Sequence, residues 1–124
     1  MRTYRYNSEW MPKNFPHDFD AHIYFPIEKM DFITQLRQKI ADEFKTDQIF
    51  IGDIIPEPIG PHYWPMLEVN FSEALFSKMI LWLSAHRAEL SILVHPQTGD
   101  DYYDHTQMAI WLGSPVEIKL SVFK

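Results

Sequence analysis

The chain contains no cysteine. Disulfides, thiolate metal sites and a thiol nucleophile are excluded outright, so any metal must be held by imidazole and carboxylate. Glycine is scarce, with four in 124 residues, and none is spaced to cradle a phosphate. There is no G-x-S-x-G elbow to support serine hydrolysis. Positive charge is thin: 11 Lys and Arg stand against 17 Asp and Glu, for a net charge of −6 and no basic cluster. That removes the usual electrostatic footprint of nucleic-acid binding and makes an anionic membrane surface an equally poor partner. No apolar run approaches the ~20 residues a membrane span needs. The opening MRTYRYNSEWMPKNF lacks the apolar stretch of a signal peptide. The expected setting is a soluble, cytoplasmic protein.

What is present is a core. Hydrophobic residues make up 46% of the chain and aromatics 15%, ample for one domain of this length. Residues 1–17, with Pro12 and Pro16, are expected to form an arm without regular structure, and 18–124 a single domain. The alternating FDAHIYF at 19–25 predicts a strand ending at Pro26. Phe32, Ile33, Leu36, Ile40 and Phe44 recur at helical spacing between about Glu28 and Lys45. QIFIGDII (48–55) and MLEVNF (66–71) predict two more strands, separated by the proline-rich PEPIGPHYWP. Ser72 is a natural N-cap for a second helix running to about Arg87, with Phe71 and Phe76 placed for a hydrophobic staple. A fourth strand is expected from Leu90 to His95, a short helix at 107–113 and a fifth strand at 116–123. The order β-α-β-β-α-β predicts an α+β, ferredoxin-like antiparallel sheet in strand order 4-1-3-2, with helices on one face and an added C-terminal strand.

Alternation then sorts the side chains. Ala21, Ile23 and Phe25 share one face of the first strand, and Asp20, His22 and Tyr24 the other. In the third strand Leu67, Val69 and Phe71 oppose Met66, Glu68 and Asn70; in the fourth, Ile92 and Val94 oppose Ser91, Leu93 and His95. With the uniformly apolar sets against the helices, His22, Glu68 and His95 meet on the open face. If Phe25 stands opposite Pro65, His22 stands opposite Glu68, and His95 comes in one diagonal step away, within ~5–8 Å. Two histidines and a carboxylate on a rigid surface match the facial triad of non-haem iron(II) oxygenases; the same ligands suit zinc or manganese. The alternative is a set of separate polar residues on a half-covered sheet. His62, in the proline-rich loop, is an alternative ligand or a substrate contact. His105 follows DDYYD and is a candidate acid or base that Asp104 would orient. His17 and His86 read as surface residues. Trp64, beside His62, is the tryptophan nearest this opening.

The segments FDAHIYF (19–25), GPHYWPMLEVNF (60–71), LSILVHPQTGD (90–100), DHT (104–106) and IWLG (110–113) together resemble the DOPA 4,5-dioxygenase family, in the family's order and over nearly the whole chain from about residue 18. The resemblance implies a ferredoxin-like dimer and an extradiol dioxygenase that opens a catechol ring with dioxygen and a non-haem metal, iron(II) first. It carries over onto His22, His62, Glu68, His95 and His105: His22, Glu68 and His95 as metal ligands, His62 and His105 as catalytic residues. The chain departs from the family at Tyr63, where Gly-Pro-His-Pro is usual, and at Ala88, where Arg-Gly is usual. A second reading, from another class, is a dimeric, non-enzymatic small-molecule-binding module. Both readings expect a two-fold homodimer, because helices on one side leave Tyr24, Met66 and Leu93 on an open face that a partner would cover.

Overall fold

The computed structural model describes residues 18–123; the arm expected at 1–17 lies outside them. The elements are β1 (Phe19–Tyr24), α1 (Met30–Glu43), β2 (Ile49–Ile55), β3 (Met66–Phe71), α2 (Phe76–His86), β4 (Ile92–Pro96), the single-turn α3 (Asp101–Asp104) and β5 (Ile110–Leu112). All strand pairs are antiparallel, in the order β2-β3-β1-β4-β5. The expected ferredoxin-like arrangement is therefore present, with β1 central between β3 and β4. Among the described residues no helix is long and apolar enough to cross a membrane.

The helix-side face carries the main core. Ala21, Ile23 and Phe25 from β1 and its exit meet Leu67, Val69 and Phe71 from β3 and Ile92 and Val94 from β4. Against them α1 sets Ile33, Leu36 and Ile40, and α2 sets Met79 and Leu83. The spacings of three and four residues place each set on one helical stripe. Each large apolar side chain buried this way contributes roughly 1.5–3 kcal/mol, which anchors β1 in register at the centre of the sheet. The α2 entry differs from expectation. Ser72 precedes a 3₁₀ turn (Glu73–Leu75), and its hydroxyl donates to Gln48 Oε1 at 2.7 Å. The capping acceptor is Asp18 Oδ2, 2.7 Å from the Glu73 amide. Phe19 stacks between Phe71 and Phe76, joining the two staple residues through a third ring.

The chain after β4 corrects two expectations. The helix lies at Asp101–Asp104 rather than at 107–113, and Ile110–Leu112 is a strand paired with β4. Asp100 explains the helix, since its carboxylate accepts from the Tyr103 amide at 3.0 Å. The open edge of β4 explains the strand: it needs backbone partners, and the short apolar run IWL provides them. Gly113 ends that strand at φ +80, where a side chain would collide with the Arg87 guanidinium. The expected strand at 116–123 is instead a tail with one isolated bridge, His62 to Ile118, and a 3₁₀ turn at Leu120–Phe123. Its alternation serves a different purpose. Val116 and Ile118 pack with Trp111 onto Tyr24, Met66 and Leu93. The face that seemed to require a partner subunit is thus covered by the chain's own tail, and its apolar residues are no argument for a homodimer.

Ala88 sits at φ +52, in the turn closed by the Leu90 amide on the Arg87 carbonyl at 2.9 Å. This is the left-handed region, which costs an L-residue about 1–2 kcal/mol and which glycine enters freely. Ala88→Gly is expected to raise the unfolding free energy by about 0.5–1 kcal/mol, once the extra chain entropy of glycine is subtracted. Urea denaturation of the two proteins checks this.

Candidate metal centre

The open face of the sheet buries polar residues rather than exposing them. His22 pairs with Glu68 across β1–β3, Asp20 with Asn70 in the same ladder, and Asp20 with His95 across β1–β4. His22 and His95 are therefore diagonal neighbours, as alternation and register predict. Their Nε2 atoms stand 3.0 Å apart. His62 arrives from the proline-rich loop, which is held by its own amide on the Ile59 carbonyl and by the Lys119 amide on the Pro61 carbonyl. Its ring lies 4.3 Å from that of His22, between centroids. His105 follows α3, with its ring 4.1 Å from that of His95 and capped by Phe123 at 4.6 Å. All four imidazoles, together with Asp20 and Glu68, are 5% exposed or less.

A buried imidazole must have its protons and lone pairs matched, and here the Nδ1 atoms of His62, His95 and His105 are hydrogen-bonded while that of His22 lies at ion-pair distance from a carboxylate. His95 Nδ1 donates to the Pro96 carbonyl at 2.8 Å, and His105 Nδ1 to the Asp101 carbonyl at 2.7 Å. His22 Nδ1 faces Glu68 Oε1 at 3.4 Å. His62 Nδ1 meets the Tyr24 hydroxyl at 2.7 Å. Burial pushes the Tyr24 phenol far above its ordinary pKa, and the Glu68 carboxylate adds to the shift, so its proton stays in place. The two carboxylates share one amide: Asn70 Nδ2 donates to Glu68 Oε2 at 2.8 Å and to Asp20 Oδ1, while Gln97 Nε2 donates to Asp20 Oδ2.

His22 and His95 bring their Nε2 atoms within hydrogen-bond distance, 3.0 Å, of each other, and two ring nitrogens converging on one point, with a carboxylate beside them, are donors that a metal ion can take. Two groups of buried side chains offer ligand atoms within 4.8 Å of one another: Asp20, His22 and His95, and His22, His62 and His105.

Sequence reasoning placed His22, His62, His95 and His105 in one cluster, and the structure brings all four together. Glu68 falls in neither metal-capable group, because it lies on the Nδ1 side of His22 while Nε2 faces His95. The carboxylate in reach is Asp20, with Oδ2 3.8 Å from His95 Nε2. Sequence reasoning put Asp20 on the correct face but did not nominate it; its place one alternation step before His22 was the available signal. Asp104 does not orient His105. Its carboxylate accepts from the Thr98 amide and hydroxyl, at 2.9 and 2.7 Å, and ties down the loop after β4. Tyr24, also missed, is the partner of His62. Trp64 lines, with Tyr24, Glu89 and Leu90, a cavity of ≈ 130 Å³ next to the cluster's Tyr24 end. His86 stacks on Trp82 on the α2 surface, and His17 lies outside the described residues.

A ferredoxin-like sheet with a buried histidine and carboxylate cluster able to hold a metal ion defines the class of this protein. Comparison with known proteins defines its family: residues 19–122 match the model of the Dopa 4,5-dioxygenase family, and the chain belongs to it. The chain is 40% identical over 117 residues to an uncharacterized 21.2 kDa protein of Botryotinia fuckeliana, covering 86% of this chain and 63% of that protein. It is 30% identical over 114 residues to the DOPA 4,5-dioxygenase of Amanita muscaria, covering 84% and 48%. The chain thus spans about half to under two thirds of the length of these relatives. Among solved structures, a Nostoc punctiforme protein described as a "putative dioxygenase" superposes with a TM-score of 0.79 at 34% identity, covering 86% of this chain and 90% of that one.

Asn70 is the residue on which both carboxylates depend. Asn70→Leu keeps the shape but leaves two buried carboxylates short of a donor, so a loss of about 1–3 kcal/mol in unfolding free energy is expected for each oxygen left unmatched. Thermal or urea denaturation measures it, and an unchanged midpoint would contradict the network.

Proposed function

We propose that the protein is a metal-dependent extradiol dioxygenase that cleaves a catechol-type ring, DOPA or a related catechol. The observation that carries this reading is the His22–His95 pair with the Asp20 carboxylate beside it, in a chain of this family. In this proposal His22, His95 and Asp20 form the two-histidine, one-carboxylate triad, and Asp20 takes the ligand role first considered for Glu68. Non-haem iron(II) is the proposed metal; zinc and manganese accept the same donors. When bound, the ion would supply Lewis acidity toward a catechol and a redox partner for dioxygen.

The chain's own residues do the rest. The Pro96 carbonyl holds the Nδ1 proton of His95 and so keeps its Nε2 lone pair inward; Glu68, 3.4 Å from His22 Nδ1, is placed to do the same for His22 once its Nε2 is drawn to an ion. Such outer partners are commonly worth 10–100-fold in affinity or activity. Asn70 and Gln97 fix the Asp20 carboxylate. His105 presents a lone pair toward the cluster and is placed to take a catechol proton. Phe123 and the tail exclude water from one side, which strengthens every electrostatic contact within. Assembly as a homodimer remains a separate proposal, read by light scattering as a mass near twice 14.8 kDa.

The direct test adds iron(II) anaerobically, then a panel of catechols, then air. A yellow ring-opened product is expected, and no product across the panel with iron demonstrably bound counts against the reading. His22→Ala and His95→Ala should lose both metal and activity, the latter by about 100-fold or more. Glu68→Gln should keep the metal and lose about 10-fold in activity. If Glu68→Gln loses the metal while Asp20→Asn retains it, Glu68 is the ligand after all.

A further inference from the structure

We infer that His62 and His105 are locked in opposite tautomers, so that His62 offers an N–H and His105 a lone pair, and that Tyr24 is the positioning residue responsible for the difference. The inference about roles rests on the proposed function; the tautomers themselves do not.

The argument is one of matching donors to acceptors. Backbone carbonyls only accept. The Asp101 carbonyl therefore requires the proton of His105 on Nδ1, which in the neutral ring puts the lone pair on Nε2. The partner of His62 Nδ1 is different in kind. A tyrosine hydroxyl can donate or accept, and its surroundings decide which. Tyr24 is 3% exposed, and its hydroxyl makes one hydrogen bond among the described residues, to His62 Nδ1 at 2.7 Å. If the hydroxyl accepted there, its own proton would be buried without a partner among the described residues, which is costly. It donates instead. His62 Nδ1 is then the acceptor, and the ring proton sits on Nε2. That nitrogen is on the side away from Tyr24, and His62, His22 and His105 carry ring nitrogens within 4.8 Å of one another.

The consequence is a division of labour. His62 is a poor metal ligand, because a protonated Nε2 has no lone pair to give. It is well suited to hold an oxygen atom of a bound catechol, or of its ring-opened product, by donating a hydrogen bond. His105, whose ring centroid is 6.3 Å from that of His62, accepts from the other catechol hydroxyl. The ligand class this favours is a vicinal diol on an aromatic ring, read as one acceptor and one donor. Tyr24 stands two residues beyond His22 on the same face of β1, so the strand that mounts the metal ligand also mounts the group that sets its neighbour's tautomer.

The test is a two-bond ¹H–¹⁵N correlation spectrum of histidine-labelled protein, taken metal-free and with zinc(II), with the rings assigned from His62→Asn and His105→Asn. His62 should show an unprotonated Nδ1 and a protonated Nε2, and His105 the reverse. A protonated Nδ1 on His62 in the wild-type protein overturns the proposal. Tyr24→Phe should shift the His62 nitrogens and leave the other rings unmoved. It should bind metal at unchanged stoichiometry, lower kcat by roughly 10–100-fold and change KM little. An unmoved His62 spectrum in that variant also overturns the proposal, and a folding failure there leaves the wild-type spectrum to decide. His62→Gln, which keeps a side-chain N–H, should recover part of the activity lost in His62→Ala. If no catechol is cleaved by the wild-type protein, the spectra still decide the tautomers and only the functional reading falls.

Discussion

Burying charge and imidazole on a sheet face demands that every proton be matched, and the rest of this structure follows from that demand. Asp20, His22, His62, Glu68, Asn70, His95, Asp104 and His105 are all buried. Left unmatched, each would cost about 1–3 kcal/mol or more, enough together to exceed the whole stability of a domain this size. The cluster survives because it is wired: Asn70 to two carboxylates, Gln97 to one of them, carbonyls to two rings, a phenol to a third, and the fourth ring, His22, to His95. A half-satisfied version would be worse than an apolar face.

The apolar side of the sheet makes this possible. Ile23 and its neighbours fix β1 in register against β3 and β4. A slip of one residue would turn His22 into the helix-side core and Ile23 into the cluster. Function and stability are thus coupled through strand register, with the metal-capable residues on one set of alternate positions and the core on the other. The tail completes the arrangement by covering Tyr24, Met66 and Leu93, bringing Phe123 onto His105 and holding the His62 loop through Ile118 and Lys119. Residues that seemed to advertise a missing partner subunit are covered by the chain itself.

Family membership and geometry contribute different things. The family model and the relatives establish which group of proteins this chain belongs to. The side-chain arrangement supplies the distinctions within the cluster: a carboxylate that faces His95, another that stands behind His22, and two histidines with unlike Nδ1 partners. The chain's departures from the family pattern also become readable. Ala88 occupies a turn position that favours glycine, and Tyr63 and Trp64 are partly exposed beside the loop that carries His62.

The sequence alone determined the β-α-β-β-α-β order, the central place of β1, the pairing of His22 with Glu68 and the approach of His95. Alternation of period two and helical spacing of three and four are local, and a proline bounds one end of each of the first four strands: Pro26, Pro56, Pro65 and Pro96. The run IWL was ambiguous for the same reason, since three apolar residues carry no period, and only the open edge of β4 made them a strand. The tail alternated as a strand does, but its backbone found one bridge and its side chains found a face. Which carboxylate reaches His95, and which way each ring carries its proton, depends on contacts between residues as far apart in sequence as Asp20 and Gln97 or Tyr24 and His62. Those contacts exist only after folding, because they are set by distances between strands and loops that no local pattern records.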